Sequence, residues 1–212
     1  MEARYIKGEL ERELPGSAVF LDSDDLKDLR QLLDCVSKSA VLVVVQSAEI
    51  LQRPWCLLEI FAAVEANIPI IAVNVHGKGY NFEEAQQFVT HLDTMLEKAN
   101  PGAVSVLQQQ GVDVLDVAYK LSSTIPNIIS VPFDSCASKN AIRAAILDLL
   151  DAMVRARPSA KLPDDKEAWL KRRLSQSAST FAHGNPTERL RSNSAGAALT
   201  GSVSQQLRTH FA

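Results

Sequence analysis

Three aspartates follow the first short apolar run of the chain and have the chemistry to hold a divalent cation. The run covers residues 18–21, and Asp22, Asp24 and Asp25 come directly after it. Carboxylates are the ligands that Mg²⁺ takes in phosphoacceptor sites. Such a site also needs an aspartate after a later strand, where this chain has Gln46-Ser47. We therefore predict no metal site here, and a charged loop with Asp24 or Asp25 capping the next helix.

An aromatic residue and a carboxylate stand four positions apart at the start of a second chemically interesting segment. Trp55 and Glu59 belong to a predicted helix that runs from Pro54 to about Ala66, so they share one helix face. The apolar stripe of this helix consists of Leu57, Ile60, Phe61 and Val64. Because Glu59 points roughly away from that stripe, the plainest interpretation is a solvated side chain. Trp55 is, on the same grounds, most simply a packing residue.

Four short apolar segments alternate with helical segments along the first three quarters of the chain. The clearest, residues 40–45, is almost entirely β-branched and lacks polar alternation, which is typical of a strand covered on both faces. The others are residues 18–21, 68–75 and 127–133. The alternation predicts a doubly wound parallel α/β domain over residues 1–156.

Two further regions differ from this alternation. Residues 76–126 form a long excursion with helical spacing, in which Asn81 and Asp113 are predicted helix caps. Residues 157–174 are predicted to be a linker with a short helix. Residues 175–212 hold few apolar side chains, so they cannot bury enough surface to offset the entropy of ordering, and we predict a disordered tail.

Composition and charge exclude several classes of protein. The formal net charge is -3, which leaves no basic surplus to bind nucleic acid. No stretch approaches ~20 uncharged apolar residues, so no membrane span is predicted. Cys35, Cys56 and Cys136 are widely spaced and odd in number. This spacing argues against a zinc site or a disulfide framework and favours reduced thiols in the cytoplasm.

Three segments, in order, resemble the TIR (Toll/interleukin-1 receptor-like) domain family. Val19-Phe20-Leu21-Asp22 resembles the family's second strand and the acidic start of the loop after it. Residues 39–47 resemble the next strand, which ends in a serine. Arg53-Pro54-Trp55-Cys56-Leu57-Leu58-Glu59-Ile60 is similar to the family's tryptophan-cysteine-x-x-glutamate helix. The resemblance covers about residues 2–155 and implies a flavodoxin-like doubly wound sheet.

The resemblance implies first an interaction module. Such a domain assembles with other TIR domains, homotypically or heterotypically, and relays a signal. The loop after the first apolar run, with Ser23, Asp24 and Asp25, is the implied interaction loop, and self-association is expected.

The resemblance implies, alternatively, an enzyme that cleaves NAD⁺ as a substrate to nicotinamide and ADP-ribose. The essential glutamate of NAD⁺-cleaving members matches Glu59, and Trp55, Asp22 and Ser47 would line the pocket. Loss of nicotinamide leaves an oxocarbenium-like ribose, whose charge a neighbouring carboxylate stabilises. An aromatic wall can stack on a ring of the substrate.

The family's first strand has no counterpart in this sequence, because Met1 falls within what would be the following helix. Two arrangements are open. A longer chain would supply the strand, or residues 18–21 pair directly with 40–45 in a sheet of about four strands. The family places that strand between these two, with its end lining the NAD⁺ site. Its loss would disturb the pocket, and an inactive truncated fragment is the third functional alternative.

Overall fold

The computed structural model describes residues 2–21, 32–156, 166–179 and 208–211. The chain divides into two compact units, one formed by residues 1–162 with 206–212 and the other by residues 163–205. The first unit is mixed α/β, as the alternation of segments predicted.

The described strands of the first unit lie parallel in one sheet. They are β1 (Ala18–Leu21), β2 (Val41–Gln46), β3 (Ile70–Val75), β4 (Ile129–Phe133) and β5 (Arg208–Phe211). Their order across the sheet is β1-β5-β2-β3-β4. The trio β2-β3-β4 follows chain order, with helices in every connection, whereas β5 reaches the sheet from the far end of the chain.

Of the two arrangements left open, direct pairing of residues 18–21 with 40–45 is wrong, and the sheet has five described strands where about four were expected. The strand β5 lies between them, so that Thr209 is in register with both Val19 and Val41. Disorder was predicted for residues 175–212, and this is wrong for β5. Strand pairing uses backbone groups that every residue carries, so a short polar segment can fill a gap between two strands without any apolar pattern. The predicted disorder of residues 180–207 lies outside the described residues.

The helices of this unit are α1 (Glu2–Glu13), α2 (Leu32–Ser37), α3 (Pro54–Glu65), α4 (Phe82–Thr90), α5 (Leu92–Ala99), α6 (Ala103–Gln109), α7 (Val114–Thr124) and α8 (Lys139–Arg155). Side-chain caps begin three of these described helices. As predicted, Asn81 Oδ1 accepts from the Glu83 and Glu84 N–H groups and Asp113 Oδ1 from Leu115 N, and in addition Ser138 Oγ accepts from Ala141 N. Each such cap stabilises its helix by about 1 kcal/mol.

One face of the sheet is covered by α1 and α8. Ile6 and Leu10 of α1 and the buried stripe of α8 form a single core with the strands. The strand residues in that core include Val43, Ile71, Val73 and Phe133. Each fully buried aliphatic side chain in such a core contributes roughly 1.5–3 kcal/mol of transfer free energy.

The opposite face of the sheet is buried as well, through Leu42, Val44, Ile70 and Ala72. A parallel crossover must pass over one face, and α3 makes the crossover from β2 to β3. Helices α2, α6 and α7 contact α3, and α7 also contacts α4 and α5. Residues 76–126, whose purpose the sequence left open, therefore enclose α3 from outside. Lys120 of α7 connects this outer layer to α3. Its ammonium group pairs with Glu65 and lies 4.8 Å from the centroid of the Phe61 ring.

The described part of the second unit is one helix, α9 (Lys166–Ser179), which begins within the predicted linker and extends five residues beyond it. Its Arg173 guanidinium lies 5.6 Å from the ring centroid of Trp169. Among the described helices of either unit, none combines the length and the apolar character needed to cross a membrane.

Candidate functional site

Ser47 and Trp55 both follow β2, at the edge of the sheet where the parallel strands end. Ser47 directly follows β2, and its carbonyl accepts from Ile50 N at 3.2 Å in a tight 3-10 turn. This turn leads into α3, where Pro54 occupies the first turn and needs no hydrogen-bond partner for its nitrogen. The carboxyl ends of parallel strands are where open α/β sheets bind ligands. Ser47 and Trp55 are both half-buried there.

Glu59 is fully buried, with 0% of its surface exposed. The interpretation of Glu59 as a solvated side chain is therefore wrong. The physical reason is that α2, α6 and α7 all pack against α3, so the helix is covered beyond its apolar stripe. On α3 the buried residues are Cys56, Leu57, Leu58, Glu59, Ile60, Ala63 and Val64.

The burial of Glu59 has an energetic consequence. A carboxylate removed from water loses several kcal/mol of hydration unless other groups compensate for it. Glu59 makes at least one polar or electrostatic interaction within the protein. A carboxylate held in this way, shielded from water, acts strongly on any cationic centre brought next to it. In the described arrangement, however, no part of Glu59 is open to a dissolved substrate.

The remaining predicted site residues lie outside the described part of the chain. They are Asp22, Ser23, Asp24 and Asp25. The residue before them, Leu21, lies level with Val43 through Phe211 of the intervening strand. Ser47 and Trp55 thus lie at one edge of the sheet, with Glu59 one helical turn further along α3. The role of the three aspartates stays a prediction.

A cavity of about 430 Å³ lies beside the same edge, between the 3-10 turn and helices α4 and α5. Its walls include Leu51, Gln52, Tyr80, Glu84, Phe88 and Lys98. Asn100 Nδ2 donates to Gln52 O at 2.9 Å and fixes the turn against the end of α5. None of Ser47, Trp55 and Glu59 lines this cavity, so it is separate from the predicted site. Sequence reasoning missed it because its walls come from the turn after β2 and from residues 79–99, two segments that are remote from each other in sequence.

Tyr80 forms one wall of that cavity and is electrostatically unusual. Burial raises the pKa of Tyr80, and a side-chain hydrogen bond with Gln46 opposes the shift. Gln46 is itself 5% exposed at the end of β2. The phenol therefore stays neutral at physiological pH and ties the segment after β3 to β2. The adjoining turn is anchored as well, since Ala48 N donates to Lys78 O at 3.0 Å.

A second cavity, of about 370 Å³, opens where β3 and β4 end and α8 begins. His76 and Asp134 lie on its rim, and His76 N donates to Phe133 O at 2.8 Å. Asp134 is engaged locally, because its Oδ1 accepts from Cys136 N at 2.9 Å. Within the described ranges, no group of three or more His, Cys, Asp and Glu side chains is arranged to hold a metal ion.

Comparison with family models, curated proteins and solved structures finds no match to this chain. The resemblance to TIR domains therefore depends on the residues quoted for it and on the architecture described above. Of these residues, the Trp55–Glu59 pair is the most specific. Trp55 is half-buried at the edge of the sheet, whereas Glu59 is enclosed. A dissolved ligand therefore cannot reach the Glu59 carboxylate in this arrangement.

Proposed function

We propose that this chain is a TIR-like intracellular signalling module that acts through association with other TIR domains, its own copies included. The observation that carries the proposal is the enclosure of Glu59. A carboxylate with no exposed surface serves the packing of α3 against its neighbours and cannot touch a dissolved ligand. The parallel α/β sheet with helices on both faces supports the same proposal, because it is compatible with the flavodoxin-like fold of that family.

Exposed apolar residues on α8 also support association. Leu147 is 46% exposed and Val154 is 70% exposed. They stand seven positions apart, so they lie on the same face of that helix. Single exposed hydrophobic residues are common, but two on one exposed helix face offer apolar area to a partner.

The test is the oligomeric state of the full chain, measured by sedimentation velocity over a wide concentration range. We expect reversible self-association that weakens at least tenfold when Asp24 and Asp25 are both changed to lysine, because the implied interaction loop then reverses its charge. Glu13→Lys is the control, since it reverses an exposed charge at the end of α1, and it should change the dissociation constant less than threefold. A chain that stays monomeric throughout, or equal effects of the two changes, would contradict the proposal.

The alternative is an NAD⁺ glycohydrolase with Glu59 as the essential carboxylate. One observation favours it: Trp55 is half-buried at the edge where β2 ends, and Glu59 follows it one helical turn along α3. In this reaction the bond between ribose C1′ and the nicotinamide nitrogen breaks, and its electron pair leaves with nicotinamide. Water then adds to C1′ to give ADP-ribose. Access to Glu59 requires its cover to move.

The enzyme alternative is tested by incubating the full chain with NAD⁺ at high protein concentration and following nicotinamide release. Glu59→Gln keeps the shape and removes the charge, so it should abolish release. Glu65→Gln, at an exposed position on the same helix, should leave release unchanged. Thermal unfolding of each variant establishes that it is folded. Absent release, or equal release from all three proteins, rejects the enzyme.

A further inference from the structure

The gap between β1 and β2 is filled by β5, a strand that is remote in sequence from both of its neighbours in the sheet. Residues Arg208–Phe211 pair with Ala18–Leu21 on one side, and residues 209–211 pair with 41–43 on the other. Both pairings are parallel, so the segment is an interior strand of the sheet. Its principal contacts are these two strands.

The affinity of such a gap for a strand comes from the backbone. An interior strand satisfies N–H and C=O groups on two edges at once, and an empty gap would expose both edges. Exposed strand edges recruit any extended segment that can pair with them, which is how sheets bind peptides. The gap is therefore a binding site for an extended segment, whichever molecule supplies that segment.

Residues 180–207 separate β5 from α9 along the chain. A segment of that length can span roughly 90 Å, at about 3.3 Å per residue. This is several times the width of a sheet whose strands lie about 4.8 Å apart. Chain length therefore permits the strand to come from the same copy or from another one.

We propose that the gap between β1 and β2 is a strand-binding slot that takes residues 208–211 of a second copy of this chain, and that this exchange links copies in the proposed self-association. Every copy carries both the slot and the strand, so two copies can donate and accept reciprocally about a twofold axis. All β1–β5 and β2–β5 pairings are kept in the exchanged dimer. The signalling role of the exchange rests on the proposed function, but the slot itself does not.

A labelled synthetic peptide of residues 206–212, added to the full chain, tests the slot. The peptide should bind, and binding should tighten at least tenfold in a chain carrying His210→Pro. Proline removes a backbone donor from the chain's own strand, which then competes less well. Equal binding to both chains, or none to either, would overturn the slot.

Two peptides with single N-methyl groups supply the matched comparison. Methylation of the His210 nitrogen removes a donor where the strand is flanked on both sides and should weaken binding at least tenfold. Methylation of the Arg208 nitrogen alters the first residue of the strand, which is in register on one side only, and should weaken it less than threefold. Equal losses from the two peptides would mean that the peptide binds elsewhere.

Exchange between copies is tested by a disulfide across the register. Phe20 and His210 are partners in neighbouring strands, and a spacing of about 4.8 Å suits a disulfide. A copy carrying Phe20→Cys is mixed with a copy carrying His210→Cys under mild oxidation. A covalent heterodimer should form, at several times the yield obtained when Phe20→Cys is mixed with a copy carrying Gln109→Cys, an exposed position on α6.

The outcomes separate the two proposals. If copies associate in sedimentation but the Phe20→Cys and His210→Cys pair gives no more heterodimer than the control, exchange is refuted and the association module survives. If copies do not associate at any concentration and no heterodimer forms, both fail. Heterodimer from the register pair alone supports both.

Discussion

The two sides of β2 are built in different ways. On one side, β3 and β4 follow β2 in chain order, and Leu42 through Gln46 pair with Ile70 through Asn74. On the other side, β5 and β1 have four residues each and come from distant parts of the chain, and pairing with β2 stops at Val43. The first half is made of strands of five or six residues joined by helices. The second half depends on β5, which is the last strand in the sequence and lies between β1 and β2.

This difference suggests that stability is unevenly distributed across the sheet. Short strands with fewer backbone pairings open at lower free energy than long interior ones. The half with β1 and β5 should therefore open locally, whereas the half with β3 and β4 should open only when the whole unit unfolds. The following changes test that contrast, beginning with the largest expected effect.

Ile71→Ala should lower the free energy of unfolding by about 3 kcal/mol. Ile71 is 2% exposed at the centre of the sheet, so its removal leaves a cavity that the surrounding strands and α8 cannot fill. Urea unfolding followed by circular dichroism measures the loss, and the transition should stay cooperative. A loss below about 1 kcal/mol would mean that the β3 side is no more firmly packed than the β1 side.

Val19→Ala should cost less, about 1–2 kcal/mol, because a smaller side chain is lost from a shorter strand. Hydrogen exchange followed by mass spectrometry sharpens the comparison. In the unmutated chain, amides of β1 and β5 should exchange before those of β2 and β3, and Val19→Ala should speed exchange in β1 and β5 selectively. Uniform acceleration across all strands would show that the sheet opens as one unit.

Tyr80→Phe should change the free energy of unfolding by at most about 1 kcal/mol at neutral pH, because it removes one hydroxyl group near the buried Gln46. The pH dependence carries a second signature. Burial raises the pKa of Tyr80. The resulting contribution to the free energy of unfolding is therefore complete below the unfolded-state pKa of about 10 and is lost as pH rises through the folded-state pKa.

Unfolding measured from pH 8 to pH 11 should therefore show an alkaline loss of stability that Tyr80→Phe reduces. Absorbance near 295 nm gives the ionisation of Tyr80 directly, by difference between the two proteins. A Tyr80 ionisation at or below pH 10 would show that the β2 side of this edge is open to water.

Lys78→Gln should have the smallest effect, a few tenths of a kcal/mol, since exposed ion pairs contribute little. Lys78 follows β3, and its Nζ lies 2.9 Å from a carboxylate oxygen of Glu2 on α1, which packs against β1. The pair thus links the two halves across the surface. Lys38→Gln, which breaks the local pair with Asp34, is the matched control.

The pH dependence of this pair has a defined sign. The Lys78 ammonium, through its hydrogen bond, is the largest cause of the lowered pKa of Glu2. The contribution is therefore present above the unfolded-state pKa of the carboxyl group and is lost as pH falls through the lower folded value. Denaturant unfolding measured at pH 7 and then at successively lower pH should show the Lys78→Gln difference shrink as Glu2 becomes protonated. A difference that does not depend on pH would indicate a packing effect.

The candidate site was predictable in part. The motif around Trp55 and Glu59 identified the helix, and the serine after β2 identified the edge of the sheet where that helix begins. The burial of Glu59 was not predictable from its own helix, because the face opposite an apolar stripe is solvated unless other helices cover it. That cover comes from α2 and from the excursion at residues 76–126, whose packing depends on contacts remote in sequence.

The sequence by itself determined the elements whose signal is local. A β-branched run such as residues 41–46 becomes a strand because such side chains fit a pleated surface buried on both faces. Helix caps at Asn81, Asp113 and Ser138 satisfy N–H groups two or three residues away. Tertiary structure alone decided that Arg208–Phe211 would lie between β1 and β2, because backbone pairing between distant segments leaves almost no trace in side-chain pattern.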